Sequence, residues 1–375
     1  MSELLALIEL LMLLSLMIRY PCFSSTSEVS YELREVLFLE YRGDRDSIVK
    51  FIEVPVPPNT SWQESRIIKS DPPSFQLITR GPNTFLRFRL VIARFKQACI
   101  KVICRLRIKG ASHFPSLSLS FASYLDSLHA TSLSRFTLPT KWWNYTDPVV
   151  VRVIDAFNVL LSLNMTLGEV LDSLRRYIQK HMKYTQLRYR RGASNVLRDF
   201  RGDCSEYADV FITIARSLGI PARRVWGWVL LGYVAGKPVF SGHAWVEVWL
   251  PGERAWMPLE TTFLNETSIN LELGMVPENY IAFYIEDGVN DIVSPMIPDD
   301  EGFLLGSEEW TRLKDDVWFS SSINIRPVRS ESFLLPTEVL RIGRILLIVV
   351  LPLLLIFLLI ISLIGKLKRI GNEGS

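Results

Sequence analysis

From residue 31 to about 110 the chain alternates apolar and polar positions in short runs. "EVLFLEYR", "IVKFIEVPVPP", "SFQLITRGPNTFLRFRLVI" and "CIKVICRLRIKG" all have a period of two, and none holds a helical period. Pro57-Pro58-Asn59, Asp71-Pro72-Pro73 and Gly81-Pro82-Asn83 separate the runs as turns. The pattern predicts a β-sandwich-like domain over residues 28–110. A Ser-rich stretch follows and reads as a linking segment over 111–146.

The period then lengthens. "TDPVVVRVIDAFNVL" begins with a Thr/Asp cap and a proline in the first turn, which marks a helix start. In "TLGEVLDSLRRYIQKHMKY", Thr166 stands three before Glu169, a capping-box spacing, and Leu167, Val170, Leu171, Leu174 and Ile178 form one stripe. A third helix runs from about Ser205 to Leu218, with Gly219 and Pro221 as stop signals. Beyond it "ARRVWGWVLLGYV", "HAWVEVWL" and "RAWMPLETTF" return to a period of two, separated by "AGKPVFSG" and "PGE". Helices followed by antiparallel strands make residues 147–267 an α+β unit. Residues 268–340 read as a mixed, strand-containing extension or stalk leading to the C-terminal apolar segment.

The two ends are more apolar than the body. "ILLIVVLPLLLIFLLIISLI" (345–364) carries no charge and is long enough to cross the roughly 30 Å hydrocarbon core of a bilayer as a helix. A short basic tail, 365–375, follows it. Residues 1–25 suit a signal peptide or a signal anchor, although Glu3 occupies the region where a signal peptide carries Lys or Arg. Lys366, Lys368 and Arg369 after the span favour a cytoplasmic tail, and Arg341 and Arg344 before it nearly cancel that bias. The sequons at Asn59, Asn144, Asn164 and Asn265 suit an external body. The expectation is a protein of the cell membrane with its main body outside the cytoplasm.

The net charge of +3 over 375 residues is spread along the chain and gives nucleic-acid binding no support. No metal-type cysteine pair and no disulfide framework is present. Alternation in "QACIKVICRLRIKG" turns Cys104 to the apolar face and Cys99 to the other, so the two are not placed to bridge. The acidic stretch "IPDDEGF" lacks a full calcium-loop spacing. No cofactor is expected, and the oligomeric state is not legible.

Candidate chemistry centres on "RGDCSEYADVFI". Cys204 follows Gly202 and opens a helix, where the partial positive charge of the N-terminus favours a thiolate. A lone cysteine is equally a small packed hydrophobe. Of the four histidines, His113, His129 and His181 read as surface residues, whereas His243 heads a strand after Ser241-Gly242. If the next strand folds back across "PGERA", Glu260 returns beside His243. Nucleophile, base and orienting acid are the three parts that thiol acyl transfer requires. Trp226, Trp228, Trp245, Trp249 and Trp256 could line a groove, but core is the commoner place for strand aromatics.

"GDCSEYADVFITIARSLGIPARRVWGWV" followed by "GHAWVEVWLPGERAWMPLETT" resembles the transglutaminase-like superfamily over about residues 165–265. The resemblance implies a papain-like thiol fold with Cys204 as nucleophile, His243 as base and Glu260 as acid; some members of that family bind calcium, but no metal constellation is visible here. The family's usual acid is Asp, and Glu260 is one methylene longer. The implied activity is cleavage or transfer of amide bonds through a Cys204 thioester: a cysteine protease or amidase, or a protein cross-linking enzyme acting on peptide or protein substrates. Related cores also act on glycan-linked asparagine, a choice no residue here favours. The alternative is a catalytically inactive domain of the same fold serving as a surface binding or scaffold module.

Overall fold

Alternation in the first strand decides the first layer. In β1 (Glu28–Tyr41) residues Tyr31, Leu33, Glu35, Leu37, Leu39 and Tyr41 are buried, and the residues that alternate with them face outward. The computed structural model describes residues 28–109, 114–128, 133–162, 164–187, 190–262, 273, 278–288, 311–312 and 316–328, all within one unit, Met1–Val328. The strands that follow are β2 (Ser47–Val56), β3 (Gln63–Asp71), β4 (Gln76–Arg80), β5 (Asn83–Ala93) and β6 (Gln97–Lys109). They form two sheets, one containing β1, β6 and β3 and the other in the order β2-β5-β4. Leu33, Leu37, Ile100 and Leu106 of one sheet pack with Val54, Phe85, Phe88 and Leu90 of the other in a shared core, so the region is a sandwich. Cys104 is buried and Cys99 exposed, both with free thiols, as the alternation predicts.

The second layer is helical. It comprises α1 (Phe121–Leu128), α2 (Pro148–Asn158), α3 (Leu167–His181), the single turn α4 (Ala193–Val196) and α5 (Cys204–Ser217), with the short parallel pair β7 (Lys183–Tyr184) and β8 (Arg201–Gly202) before α5. Asp147 caps α2 by accepting from Val149 N at 2.9 Å. Thr166 and Glu169 cap α3 reciprocally, and its predicted stripe is buried. These helices cover one face of a four-stranded antiparallel sheet, order β11-β10-β9-β12, built from β9 (Ala222–Val234), β10 (Lys237–Leu250), β11 (Ala255–Leu259) and β12 (Tyr280–Glu286). Val246, Val248, Leu250, Met257 and Leu259 pack with the helices. Val225, Val229 and Trp245 pack with the sandwich on the opposite face. The sheet that carries the site therefore lies between two layers.

The structure redistributes three stretches. Residues expected to form a link supply Tyr124 and Trp143 to the helical core, because their aromatic side chains find apolar partners that a linker would lack. Ser116 N also donates to Glu253 Oε1 at 2.8 Å, fixing the stretch to the β10–β11 turn. Two parts of the expected stalk are strands: β12 completes the core sheet, and β14 (Val317–Val328) pairs antiparallel with β1 from Ser30↔Val328 to Tyr41↔Val317. The short β13 (Thr311–Arg312) extends that sheet. "AGKPVFSG" is mostly strand, since Ala235 and Gly236, both at positive φ, close the β9–β10 hairpin as a two-residue turn. No helix among the described residues is long and apolar enough to cross a membrane. The expected signal segment 1–25, the span 345–364, its tail and "IPDDEGF" lie outside the described residues.

Candidate active site

Cys204 is the first residue of α5. Asp203 is the N-cap: its Oδ1 accepts from Ser205 N at 2.9 Å, and its own N–H donates to Glu206 Oε2 at 3.1 Å. This capping box was legible as Asp203 three before Glu206 and moves the helix start one residue ahead of the expected Ser205. The cap engages the backbone of Ser205 and Glu206, leaving the Cys204 N–H outside it. Gly202 serves by close approach rather than by a left-handed turn, since a Cβ there would run into the Glu206 side chain.

His243 stands on β10 opposite Gly227 of β9 and is buried. The β10–β11 register centres on Gly252–Glu253, with Val246 opposite Leu259, as the fold-back across "PGERA" required. Glu260 comes one position past that last pair and so reaches His243 along the diagonal. Its Oε2 lies 2.7 Å from His243 Nε2. The extra methylene of Glu supplies the reach that a diagonal neighbour needs. Thr262 N donates to Glu260 Oε1 at 2.7 Å, so both carboxylate oxygens are held.

Cys204 lies close enough to His243 to favour its charged form, as a hydrogen-bonding and as a charged neighbour. With Nε2 given to Glu260, Nδ1 is the ring nitrogen left for the sulfur. Burial works against a charged imidazole here, but the Glu260 carboxylate and the neighbouring Cys204 outweigh it and push His243 up to about 10. Glu260 is fully enclosed, which on its own would favour the neutral acid. The His243 charge, with hydrogen bonds from His243, Tyr280 and the Thr262 amide, holds it below the usual carboxylate value instead. The pair thus rests as imidazolium and carboxylate.

The family model of the transglutaminase-like superfamily matches residues 160–261. Those residues contain Cys204, His243 and Glu260, so the segment that carries the three is similar to that superfamily. A protein-glutamine gamma-glutamyltransferase of Pseudomonas aeruginosa is 35% identical over 104 residues, 24% of this chain and 15% of that relative. An uncharacterized protein of Mycobacterium leprae is 31% identical over 83 residues, 21% of this chain and 30% of that relative. The chain thus spans less than a third of the length of either relative. A solved structure from Cytophaga hutchinsonii, described as a candidate cysteine protease, matches at TM-score 0.50 and 11% identity, covering 82% of this chain and 93% of that one. At that identity the likeness bears on fold alone.

All three residues read from the sequence therefore meet at one place, within the segment that matches that family model. The tryptophans mostly pack. Trp245 is fully buried and stacks at 6.2 Å on the His243 ring. Trp249 meets Trp256 at 5.5 Å, and Trp256 also meets Phe136 at 4.7 Å. Sequence reasoning missed Tyr280, whose hydroxyl donates to Glu260 Oε2 at 2.6 Å and whose ring meets His243 edge-on at 5.8 Å. It also missed Tyr184, half exposed and paired with Gly202 just before the nucleophile position. Burial first, then the nearby Cys204 and Asp203, push the Tyr184 phenol up to about 12. Among the described residues no group of three His, Cys, Asp or Glu side chains is placed to hold a metal ion.

Proposed function

We propose that this protein is a cysteine enzyme that cleaves or transfers amide bonds of peptide or protein substrates through a thioester on Cys204. The observation that carries the reading is His243 held between the Glu260 carboxylate, 2.7 Å away, and the Cys204 side chain. The proton rests on His243, and the Cys204 thiolate attacks the amide carbonyl carbon. The oxyanion that forms sits at the N-terminus of α5, where the free Cys204 N–H donates to it. His243 gives its proton to the leaving nitrogen, the C–N bond breaks, and amine or ammonia departs. Water or a second amine then attacks the thioester, His243 takes the incoming proton, and Cys204 is released. Glu260 keeps the imidazole oriented and balances its charge throughout.

The gamma-glutamyl transfer named for the Pseudomonas relative makes a glutamine carboxamide one substrate to offer, with ammonia as leaving group. The intact hydrogen bonding around His243 favours turnover over a binding-only module, which has no need to hold an imidazolium in a buried site. We read residues 345–364 as the anchor of an externally facing membrane protein. Protease shaving of intact cells tests that placement, and protection of the body counts against it.

The decisive experiment incubates the full chain with a glutaminyl peptide, with and without a primary amine, and follows ammonia, free acid and amide product. Cys204-dependent product supports the reading, and the ratio of acid to new amide separates hydrolysis from transfer. Equal activity in Cys204→Ala overturns it. So does an iodoacetamide alkylation rate at Cys204 that His243→Ala leaves unchanged.

A further inference from the structure

Tyr280 opens β12, the edge strand of the core sheet, and its hydroxyl shares Glu260 Oε2 with His243 Nε2. The other side of β12 belongs to the sandwich. Tyr31 of β1 donates to the Glu278 carbonyl at 2.9 Å, just before the strand begins. The Gln63 carboxamide pairs with Ala282 as another strand would: Nε2 donates to Ala282 O and Oε1 accepts from Ala282 N, both at 2.8 Å. Asn83 does the same at Ile285, with bonds of 2.7 and 2.9 Å. The β9–β12 register shifts between Ala282 and Tyr284, so the two amides grip β12 on either side of its irregularity. Gln63 is itself fully buried and anchored by a second bond from Nε2 to Pro58 O.

We propose that Tyr280 is a positioning residue that holds Glu260 for His243, and that the N-terminal sandwich sets Tyr280 in place through Gln63. Glu260 sits on a diagonal, where a glutamate has more side-chain freedom than an acid directly opposite its partner. Three donors converge on it: His243 Nε2 and Tyr280 Oη at one oxygen, Thr262 N at the other. Removal of the phenol leaves the carboxylate with one fewer bond to its charged form, so it takes up a proton at higher pH. The sandwich then acts as part of the site's frame and not merely as a spacer. This inference rests on the reading of Cys204 and His243 given above.

The test is the pH dependence of iodoacetamide alkylation of Cys204 in the full chain, followed by peptide mapping so that other thiols do not contribute. Tyr280→Phe keeps the ring that packs on His243 and Trp245 and removes only the hydroxyl. Its low-pH limb is expected to move up by roughly one unit, the worth of one bond to a charged group. Turnover is expected to fall roughly tenfold in kcat with KM little changed, the pattern of a displaced catalytic group. In a Glu260→Ala background the same substitution has no further effect, because the residue it positions is gone. Gln63→Ala is expected to move the limb in the same direction, and to add nothing once Tyr280 is Phe. Gln63→Glu, which keeps the acceptor for Ala282 N–H, replaces it if Gln63→Ala fails to fold.

An ordinary thiol profile in the unaltered protein overturns this inference together with the proposed function. A low-pH limb that Tyr280→Phe leaves unmoved, or a loss that persists undiminished in the Glu260→Ala background, overturns this inference alone. If Tyr280→Phe moves the limb and neither Gln63 variant does, the part assigned to the sandwich fails.

Discussion

Glu260 meets His243 across a diagonal of the β10–β11 pair, Oε2 to Nε2 at 2.7 Å, and not from the directly opposed position. The side-chain length is therefore matched to the register. Glu260→Asp, which restores the family's usual acid, is expected to lower kcat/KM by roughly 100-fold, since it withdraws the carboxylate by about one bond length from a fixed partner. Glu260→Gln keeps the length and removes the charge, and is expected to cost about as much or more. Steady-state kinetics of the two variants decide the matter. An Asp variant as active as the natural protein would show that register does not set the acid.

His243 is predicted to keep its proton far into the alkaline range. Its titration in the folded protein should centre near 10, against an unfolded value of about 6.5, and 15N-histidine NMR reads it directly. The sign for stability follows from a raised imidazole. The contribution of the raised imidazole is complete below pH 6.5 and is lost as pH rises from there through 10, whereas that of the lowered Glu260 carboxyl is lost as pH falls below its usual range. Cys204→Ala removes one of the groups that raise the value, so its midpoint falls below that of the unaltered protein. A midpoint near 6.5 in the unaltered protein would falsify the ion-pair description.

The site was legible because its parts lie on consecutive local elements. Cys204 is marked by its helix start and Glu260 by a hairpin whose centre at Gly252–Glu253 can be counted, whereas His243, read as a strand head, lies midway along β10, because the strand begins at Lys237. Tyr280 was not legible, because its partner is met through tertiary packing and no period or turn in the sequence points across that gap. The same holds for Gln63 and Ala282, joined across most of the chain. β14 closing on β1 is the extreme case, since register between distant strands is chosen by the shared core. That the turn in "AGKPVFSG" is only Ala235–Gly236 stayed hidden for a local reason: alanine is a poor marker of positive φ.

Glu35 breaks the inward row of β1. It is fully buried between Leu33 and Leu37, and neither carboxylate oxygen has a hydrogen-bond partner among the described residues. Burial holds its carboxyl well above the usual range, so the folded protein favours the neutral acid. For a raised acid, folding is favoured below the unfolded pKa and loses ground as pH climbs above it. Glu35→Leu is expected to stabilise the protein by about 1–3 kcal/mol at neutral pH, with a smaller gain near pH 4. Urea unfolding at the two pH values measures both, and a destabilised Leu variant at neutral pH would assign Glu35 a partner.

Gly202 sets how α5 begins. A methyl group there meets Glu206, whose carboxylate accepts the backbone N–H of Asp203 at 3.1 Å and of Arg191 at 3.0 Å. Gly202→Ala is therefore expected to displace the cap and to destabilise the fold by about 1–3 kcal/mol, the usual range for an overpacked buried position. Because the cap leads straight into Cys204, thiol reactivity should fall with it. Asp203→Ala removes the Oδ1 acceptor for Ser205 N–H without crowding Glu206, and costs about 1 kcal/mol. Thermal melts of both variants, read beside the alkylation rate of Cys204, separate crowding from loss of the cap. A Gly202→Ala protein with unchanged melting and reactivity would mean that Glu206 moves aside at no cost and that close approach is not why glycine stands there.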